Sequence, residues 1–212
     1  MENLEKPAVN NAEETSAPDS VVLEGPEYLP ESLRKLFDES SLTLQSTSGK
    51  GYIRLPEGTI VVPANGKSST ERSVEFGHSV ISLDLCLDYF HTSRIVLASD
   101  STCPENVLRE AVGLFQSLGK QVSVITDMAG MVLTRTVAML ANEASLLVEE
   151  EVADAAGVNL AMRKGVNYPL GPLEWAEQWG WNSVVETLDN LRKVHGERYQ
   201  TSEWLRKKAK LS

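Results

Sequence analysis

GVNYPLGPLEWAEQWGW, residues 165–181, marks a turn between two helices in the C-terminal part of this 212-residue chain. Gly165 is placed to end one helix, and Tyr168 must stay extended because it precedes Pro169. Pro172 can begin the next helix, since the first helical turn does not need the N–H that proline lacks. The three tryptophans predict core or interface packing at this corner, with ligand stacking as the alternative.

The surrounding sequence predicts an all-helical region over residues 128–212. Residues 131–151 repeat apolar side chains at helical spacing and predict one long helix. Glycines separate the shorter helical patterns that follow. These shorter helices are predicted at 158–164, 173–179, 182–194 and 202–210.

Residues 28–127 alternate short β-branched runs with helical patterns and predict an α/β layer. One helix is expected from Pro30, with Leu33, Leu36 and Phe37 on its apolar face. Strands are predicted at 59–64, 79–87, 94–99 and 121–126, and a second helix at 104–119. Residues 1–27 are poor in large apolar side chains and predict a disordered tail.

Composition narrows the possible partners. The formal net charge of −10 disfavours a nucleic-acid or anionic-membrane surface, which would need a basic face. No apolar run is long enough to span a bilayer, and the acidic N-terminus is unlike a signal peptide. Two cysteines without CxxC spacing predict a cytoplasmic protein, and the three histidines lack metal-ligand spacing. We therefore expect no metal, no nucleic acid and no membrane partner.

The phosphate-binding motifs of nucleotide enzymes do not occur in this sequence. A dinucleotide fold needs a G-x-G-x-x-G turn between a strand and a helix, where the backbone approaches the pyrophosphate. The one similar stretch, GKGY from Gly49, has no hydrophobic strand before it and no helical pattern after it, so a surface turn is predicted. P-loop and G-x-S-x-G motifs are also missing.

The segment TDMAGMVLTRTVAMLANEASLLVEEEVA at 126–153, with LAMRKGVNYPLGPLEWAEQWGW at 160–181, resembles the C-terminal helical domain of 3-hydroxyacyl-CoA dehydrogenases. The similarity is greatest to the second half of the phenylacetate-degradation type. Residues 57–120 resemble, more weakly, the end of the family's nucleotide-binding domain. The residues that match the family pattern are Asp127, Gly130, Arg135, Asn142, Glu143, Ala144, Ala161, Met162, Gly165, Pro169, Gly171 and Pro172.

The resemblance implies a particular fold: a truncated Rossmann-like α/β remnant over 28–127, then an all-α bundle like the C-terminal domain of 6-phosphogluconate dehydrogenase over 128–212. It also implies which positions would carry the chemistry. In the family a His base is held by a Glu, while a Ser and an Asn bind the reacting oxygen during hydride transfer with NAD. The corresponding positions here hold Asp84 for the base, Val96 or a neighbouring apolar residue for the Glu, Ser68 for the Ser and Thr134 for the Asn.

Only Ser68 keeps the family's residue type, so these four positions are expected to be degenerate and no catalytic residue is assigned. His91 is an alternative base if the strand is shifted in register. The resemblance further implies substrate-binding or interface roles for Arg135, Asn142, Glu143, Tyr168, Pro169, Gly171 and Pro172. For Asn142 and Glu143, a solvated position and a polar helix–helix contact both stay open.

We therefore expect a family member that is inactive alone and acts as a dimerisation or acyl-CoA-binding module. Its partner would be a second copy or a full-length dehydrogenase. No cofactor is expected in this chain, although the family uses NAD. One alternative is a subunit of an active NAD-dependent dehydrogenase in fatty-acid or phenylacetate β-oxidation, with a partner chain supplying the nucleotide-binding half. Another is a purely structural, dimer-forming domain.

Overall fold

The computed structural model describes residues 17–211, which fall into two compact units. The first unit takes in the described residues up to Ala64 together with Ser68–Met128, and the second takes in Asn65–Lys67 and the residues from Ala129 onward. The elements of the first unit are β1 (Ser20–Glu24), α1 (Glu31–Asp38), β2 (Thr43–Thr47), β3 (Tyr52–Arg54), β4 (Ile60–Pro63), α2 (Ser69–Phe76), β5 (Val80–Leu83), β6 (Arg94–Ser99), α3 (Glu105–Ser117) and β7 (Gln121–Ile125).

A seven-stranded sheet with the order β2-β1-β3-β4-β5-β6-β7 forms the centre of the first unit. The pairs β1–β2, β4–β5 and β6–β7 are parallel. The pairs β1–β3, β3–β4 and β5–β6 are antiparallel. The predicted α/β layer is confirmed, with more strands than the sequence patterns indicate.

Helices cover the two faces of this sheet. On one face, α1 and α3 pack against Val61 and Ile81, and the rings of Phe37 and Phe115 meet edge to face with centroids 6.3 Å apart. On the other face, Phe76 of α2 packs against Ile60, Val62 and Val80. The predicted apolar face of α1 is confirmed, since Leu33, Leu36 and Phe37 are its buried residues.

The predicted tail is wrong for part of its length, because residues 20–24 form β1. Val21 and Leu23 are buried, and the strand is paired on both sides, by β2 and by β3. Two buried apolar side chains are enough to hold this strand in the sheet, because the strands on either side satisfy its backbone N–H and C=O groups. Residues 1–16 of the predicted tail lie outside the described residues.

Three further elements were missed for local reasons. Strand β2 is mostly polar and exposed, and β3 has only three residues. Helix α2, with the sequence STERSVEF, has little apolar periodicity and begins with a capping box between Ser68 and Glu71. The strand predicted at 79–87 ends at Leu83.

The second unit is helical, as predicted. Its helices are α4 (Leu133–Glu149), α5 (Ala155–Gly165), α6 (Pro172–Trp179), α7 (Trp181–His195) and α8 (Glu203–Leu211). Its main core contains Val184, Leu188, Leu191, Tyr199 and Leu205. The rings of Trp181 and Trp204 meet edge to face, with centroids 5.7 Å apart, and both pack against core residues.

The short segment Asn65–Lys67 belongs to this second unit by its contacts. The Asn190 Nδ2 donates to the Asn65 carbonyl at 3.0 Å, and the Asn65 Nδ2 donates to Glu186 Oε1 at 2.8 Å. Over the described residues, no helix combines the length and the apolar character needed to cross a membrane.

Candidate functional site

Asp84, which the sequence resemblance predicts at the position of the family's catalytic base, follows directly after β5. It is 2% exposed, and its Oδ1 accepts a hydrogen bond from the Leu85 N–H at 2.9 Å. The Asp84 N–H donates to the Val96 carbonyl at 3.0 Å, so these two predicted positions lie opposite each other on adjacent strands. Val96 offers only an apolar side chain and cannot orient a proton-transfer group as a carboxylate would.

Ser68 lies at the start of α2 and serves as its N-cap. Its hydroxyl accepts from the Glu71 N–H at 3.1 Å, and Glu71 Oε2 accepts from the Ser68 N–H at 2.8 Å. Both hydrogen bonds belong to a capping box, which satisfies amides that a helix start leaves open. This geometry gives Ser68 a structural task.

Asp127 occupies the rest of that helix start. Its carboxylate accepts from the Ser69 N–H at 2.7 Å, the Thr70 N–H at 2.9 Å and the Thr70 hydroxyl at 2.8 Å. The Ser69 hydroxyl in turn donates to Ser82 Oγ at 2.9 Å. Sequence patterns could not show this cluster, because Asp127 and Ser69 are 58 positions apart.

His91, the alternative base, lies on the exposed turn between β5 and β6. Its Nδ1 is 2.7 Å from Asp88 Oδ2. The hydrogen bond with His91 lowers the pKa of Asp88 below its ordinary value. Asp88 also accepts from the N–H groups of Phe90 and His91 and so shapes the turn. This pairing holds a surface turn together.

The remaining predicted catalytic position, Thr134, belongs to the second unit and is fully buried near the start of α4. The next residue, Arg135, is half-buried, and its guanidinium lies 5.2 Å from the ring centroid of Tyr199. Cation–π contacts of this kind stabilise a fold and also leave the guanidinium edge able to bind an anion.

The adjacent residues Asn142 and Glu143 have different environments in the structure. The Asn142 side chain is 3% exposed; its Nδ2 donates to the Gln200 carbonyl at 2.9 Å, and its Oδ1 accepts from the Ser202 N–H at 3.0 Å. Glu143 is exposed. Asn142 therefore holds the chain that enters α8, and Glu143 is the member of the pair that a partner could reach.

The predicted residues in the turn between α5 and α6 also differ in burial. Gly171 and Pro172 are buried, Pro169 is exposed and Tyr168 is half-buried. A Cβ at Gly171 would overlap the side chain of Asn159, whose Oδ1 accepts from the Leu173 N–H at 3.0 Å.

Two polar residues absent from the predicted site, Asn159 and Glu174, hold this turn. Glu174 Oε2 accepts from the Gly171 N–H at 2.7 Å, and Glu174 Oε1 lies 3.3 Å from Arg163. Glu174 has a local signal, because it is the third residue of a helix that begins after a glycine. Asn159 has none, since its partner lies 14 positions away.

The glycines around the GKG turn, which joins β2 to β3, lie against other parts of this chain. A Cβ at Gly25 would overlap the Gly49 carbonyl, and one at Gly51 would lie 3.0 Å from Tyr28. The glycines of the GKG turn therefore allow protein backbone, not a ligand, to approach closely. The amides at the start of α2 are likewise taken by groups of this chain, Ser68 and Asp127.

No group of three or more His, Cys, Asp or Glu side chains suited to a metal ion occurs in the described part of the chain. Both cysteines, Cys86 and Cys103, are free and half-buried. Burial raises the pKa of the Cys103 thiol, and the charge of Asp100 raises it further. A thiol with a raised pKa is a poorer nucleophile at neutral pH, so Cys103 is not assigned a reactive role.

Two family models match this chain. Residues 61–128 match the "3-hydroxybutyryl-CoA dehydrogenase reduced Rossmann-fold domain". Residues 130–212 match the "3-hydroxyacyl-CoA dehydrogenase, C-terminal domain". The two matches together run through the helical region and most of the sheet.

Among curated proteins, the chain is similar to the 3-hydroxyadipyl-CoA dehydrogenase of Escherichia coli (strain K12), with 33% identity over 73% of this chain and 32% of that protein. It is also similar to the probable 3-hydroxybutyryl-CoA dehydrogenase of Bacillus subtilis (strain 168), with 29% identity over 54% of this chain and 40% of that one. The matched region thus spans 32% and 40% of the length of these two curated relatives.

The chain is also similar to solved structures. The crystal structure of 3-hydroxybutyryl-CoA dehydrogenase from Escherichia coli K12 matches with a TM-score of 0.72 and 31% identity, covering 78% of this chain and 34% of that one. The crystal structure of Mycobacterium tuberculosis FadB2 matches with a TM-score of 0.63 over 87% of this chain and 66% of that one. At 16% identity, the second match supports the fold alone.

Proposed function

The chain belongs to the 3-hydroxyacyl-CoA dehydrogenase family, and within that family we propose that it is an acyl-CoA-binding, self-associating module that does not transfer hydride by itself. The observation that carries the proposal is the pairing of Asp84 with Val96 where the family places its base and orienting carboxylate. The Val96 side chain carries no group that could orient a base as the family's carboxylate does, so this pair does not reproduce the family's base–orienter arrangement.

The other two substituted positions support the same conclusion. The Ser68 hydroxyl is engaged in the capping box of α2, and Thr134 is fully buried in the second unit. The internal contacts of Gly25, Gly49 and Asp127 also disfavour NAD binding by this chain. We therefore derive no hydride-transfer step here.

A binding role needs residues that a ligand or a second copy can reach. Of the seven family-implied residues, Asn142, Gly171 and Pro172 are buried, so their role is to hold the helices together. Arg135, Glu143, Tyr168 and Pro169 retain accessible surface. We propose that these four are the contact residues of the module, with Arg135 as the cation for an anionic group of the ligand.

The names of the relatives support a choice of acyl group. The Escherichia coli relative is named a 3-hydroxyadipyl-CoA dehydrogenase, and the motif around Pro169 resembles the phenylacetate-degradation type. We propose a thioester of that kind as the ligand class, within fatty-acid or phenylacetate catabolism. The two free cysteines are compatible with the reducing cytoplasm that we propose as its compartment.

Titration calorimetry with 3-hydroxyadipyl-CoA tests the binding claim, and light scattering after size-exclusion chromatography tests self-association. We expect saturable heat, a dimer mass and a rise in melting temperature with ligand. Tyr168→Ala should weaken binding, whereas Glu177→Ala, an exposed change on α6, should not. A dimer that gives no heat and no thermal shift would contradict acyl-CoA binding and leave the purely structural, dimer-forming interpretation. A monomer that gives no heat and no thermal shift would contradict both interpretations.

A further inference from the structure

The segment before the family-matched residues completes the sheet beyond β4. It consists of β1, α1, β2 and β3, residues 20–54, and we call it the N-terminal strap. The first family match begins only at residue 61, within β4. The strap therefore lies on the side of the sheet that the matched Rossmann-like part does not describe.

Strand β3 fills the outer edge of β4. The two strands are antiparallel, with Ile53 opposite Val61 and Arg54 opposite Ile60, and the Leu55 N–H donates to the Thr59 carbonyl at 2.8 Å. The other edge of β4 pairs in parallel with β5. Both edges of β4 are thus hydrogen-bonded within this chain.

The strap is packed into the core as well as paired at the edge. Leu33 and Phe37 of α1 and Ile53 of β3 are completely buried in the same cluster as Phe115 of α3. A Cβ at Gly25 would overlap the Gly49 carbonyl, and the Gly51 N–H donates to the Glu24 carbonyl at 2.8 Å. Removing β3 from β4 would therefore disturb buried side chains.

We propose that the N-terminal strap is a built-in block against strand addition at β4. A doubly wound nucleotide-binding sheet is mostly parallel and carries helices on both faces. A glycine-rich half supplied by another chain would have to extend the sheet at an edge, and here an antiparallel strand already fills the β4 edge. The inference goes beyond the proposed ligand-binding role, and it excludes completion of an active dehydrogenase in trans through this edge.

Hydrogen exchange read by mass spectrometry on the full chain tests the block. The probe is the nucleotide-binding half of the Escherichia coli 3-hydroxyadipyl-CoA dehydrogenase, used after its own NAD binding has been verified. We expect β3 and β4 amides to exchange as slowly as those of β5, with no change when excess probe is added. A complex with unchanged β3 and β4 protection also supports the closed edge, because the probe then binds elsewhere.

Two results would overturn the proposal. One is fast exchange at residues 52–54 in the chain alone while β5 stays protected. This would mean that β3 is not stably paired with β4. The other is loss of protection in β3 and β4 when the probe binds, which would mean that the strap yields to a partner. Neither result depends on acyl-CoA binding, so failure here is distinct from failure of the proposed function.

Gly25→Ala is a variant expected to detach the strap, and Gly77→Ala is its matched control. Gly25→Ala should raise exchange in β1 and β3 at least tenfold, because its Cβ would overlap the Gly49 carbonyl. Gly77→Ala has a similar positive φ but open space around its Cβ, so β3 should stay protected. Capture of the probe by Gly25→Ala, with loss of β4 protection, supports the block. An opened β3 that still captures no probe contradicts it. Ile53→Ala is the second variant if Gly25→Ala loses protection throughout the first unit.

Discussion

Glu110 on α3 has one carboxylate oxygen, Oε2, that is buried without a hydrogen-bond partner. Burial raises the pKa of Glu110, and the charge of Glu57 raises it further. A raised carboxyl pKa means that the folded chain binds the proton more tightly than the unfolded chain does. The stability that the protonated group contributes is present at low pH and is lost as the pH rises through the folded-state pKa.

We therefore predict that Glu110→Gln raises the free energy of unfolding near pH 7. The gain should shrink as the pH falls through the ordinary glutamate range, about 4.3, because wild-type Glu110 is then protonated as well. Urea titrations of wild type and Glu110→Gln, at pH 7 and below the ordinary glutamate range, measure the difference in unfolding free energy at each pH. Glu105→Gln is the control on the same helix; it removes an exposed pair with Arg109 and should cost less than about 0.5 kcal/mol. A Glu110→Gln protein that is less stable than wild type at pH 7 would be the contradicting result.

Asn142 and Glu143 allow a second test with single residues. Asn142→Ala should cost about 2 kcal/mol of unfolding free energy, because the Ser202 N–H and the Gln200 carbonyl lose their partner. Glu143→Ala changes an exposed side chain and should stay within about 0.5 kcal/mol. Chemical denaturation of both variants gives the comparison. Equal losses would show that Asn142 does not hold the entry to α8.

At the scale of elements, α2 depends on a carboxylate far away in the chain. Asp127 accepts three hydrogen bonds from the first turn of α2, whereas Asp154 accepts one from the first turn of α5. We predict that Asp127→Ala costs about 2 kcal/mol and Asp154→Ala about 1 kcal/mol, in line with capping energies. Thermal unfolding of the two variants measures the order. A larger loss for Asp154→Ala would contradict the claim that Asp127 stabilises the start of α2 through its three hydrogen bonds.

The turn between α5 and α6 gives a matched glycine pair. Gly171→Ala should destabilise the chain by about 2 kcal/mol, because its Cβ would overlap Asn159 and displace the cap on Leu173. Gly165→Ala, at the end of α5, meets no atom within 4 Å and should be neutral or slightly stabilising. Denaturant midpoints of the two variants measure the difference in their stability. Similar midpoints would mean that Gly171 is retained for some reason other than packing.

For the molecule as a whole, the sequence predicted the helical region and most strands of the sheet. Periodicity was strong where apolar side chains face a core, as in α1 and α3. It missed β1, β2, β3 and α2, because short or polar elements depend on neighbours that are distant in sequence. Sequence patterns could not separate buried Asn142 from exposed Glu143 for the same reason, since the partners of Asn142 lie in a loop near residue 200.

The most direct test of the central claim is formation of NADH by the purified chain with NAD and a 3-hydroxyacyl-CoA. A full-length 3-hydroxybutyryl-CoA dehydrogenase serves as the positive control. The substitutions at Asp84 and Val96 predict no rate above that of the mixture without protein. Turnover at an ordinary enzymatic rate, about 1 per second or faster, would contradict the account.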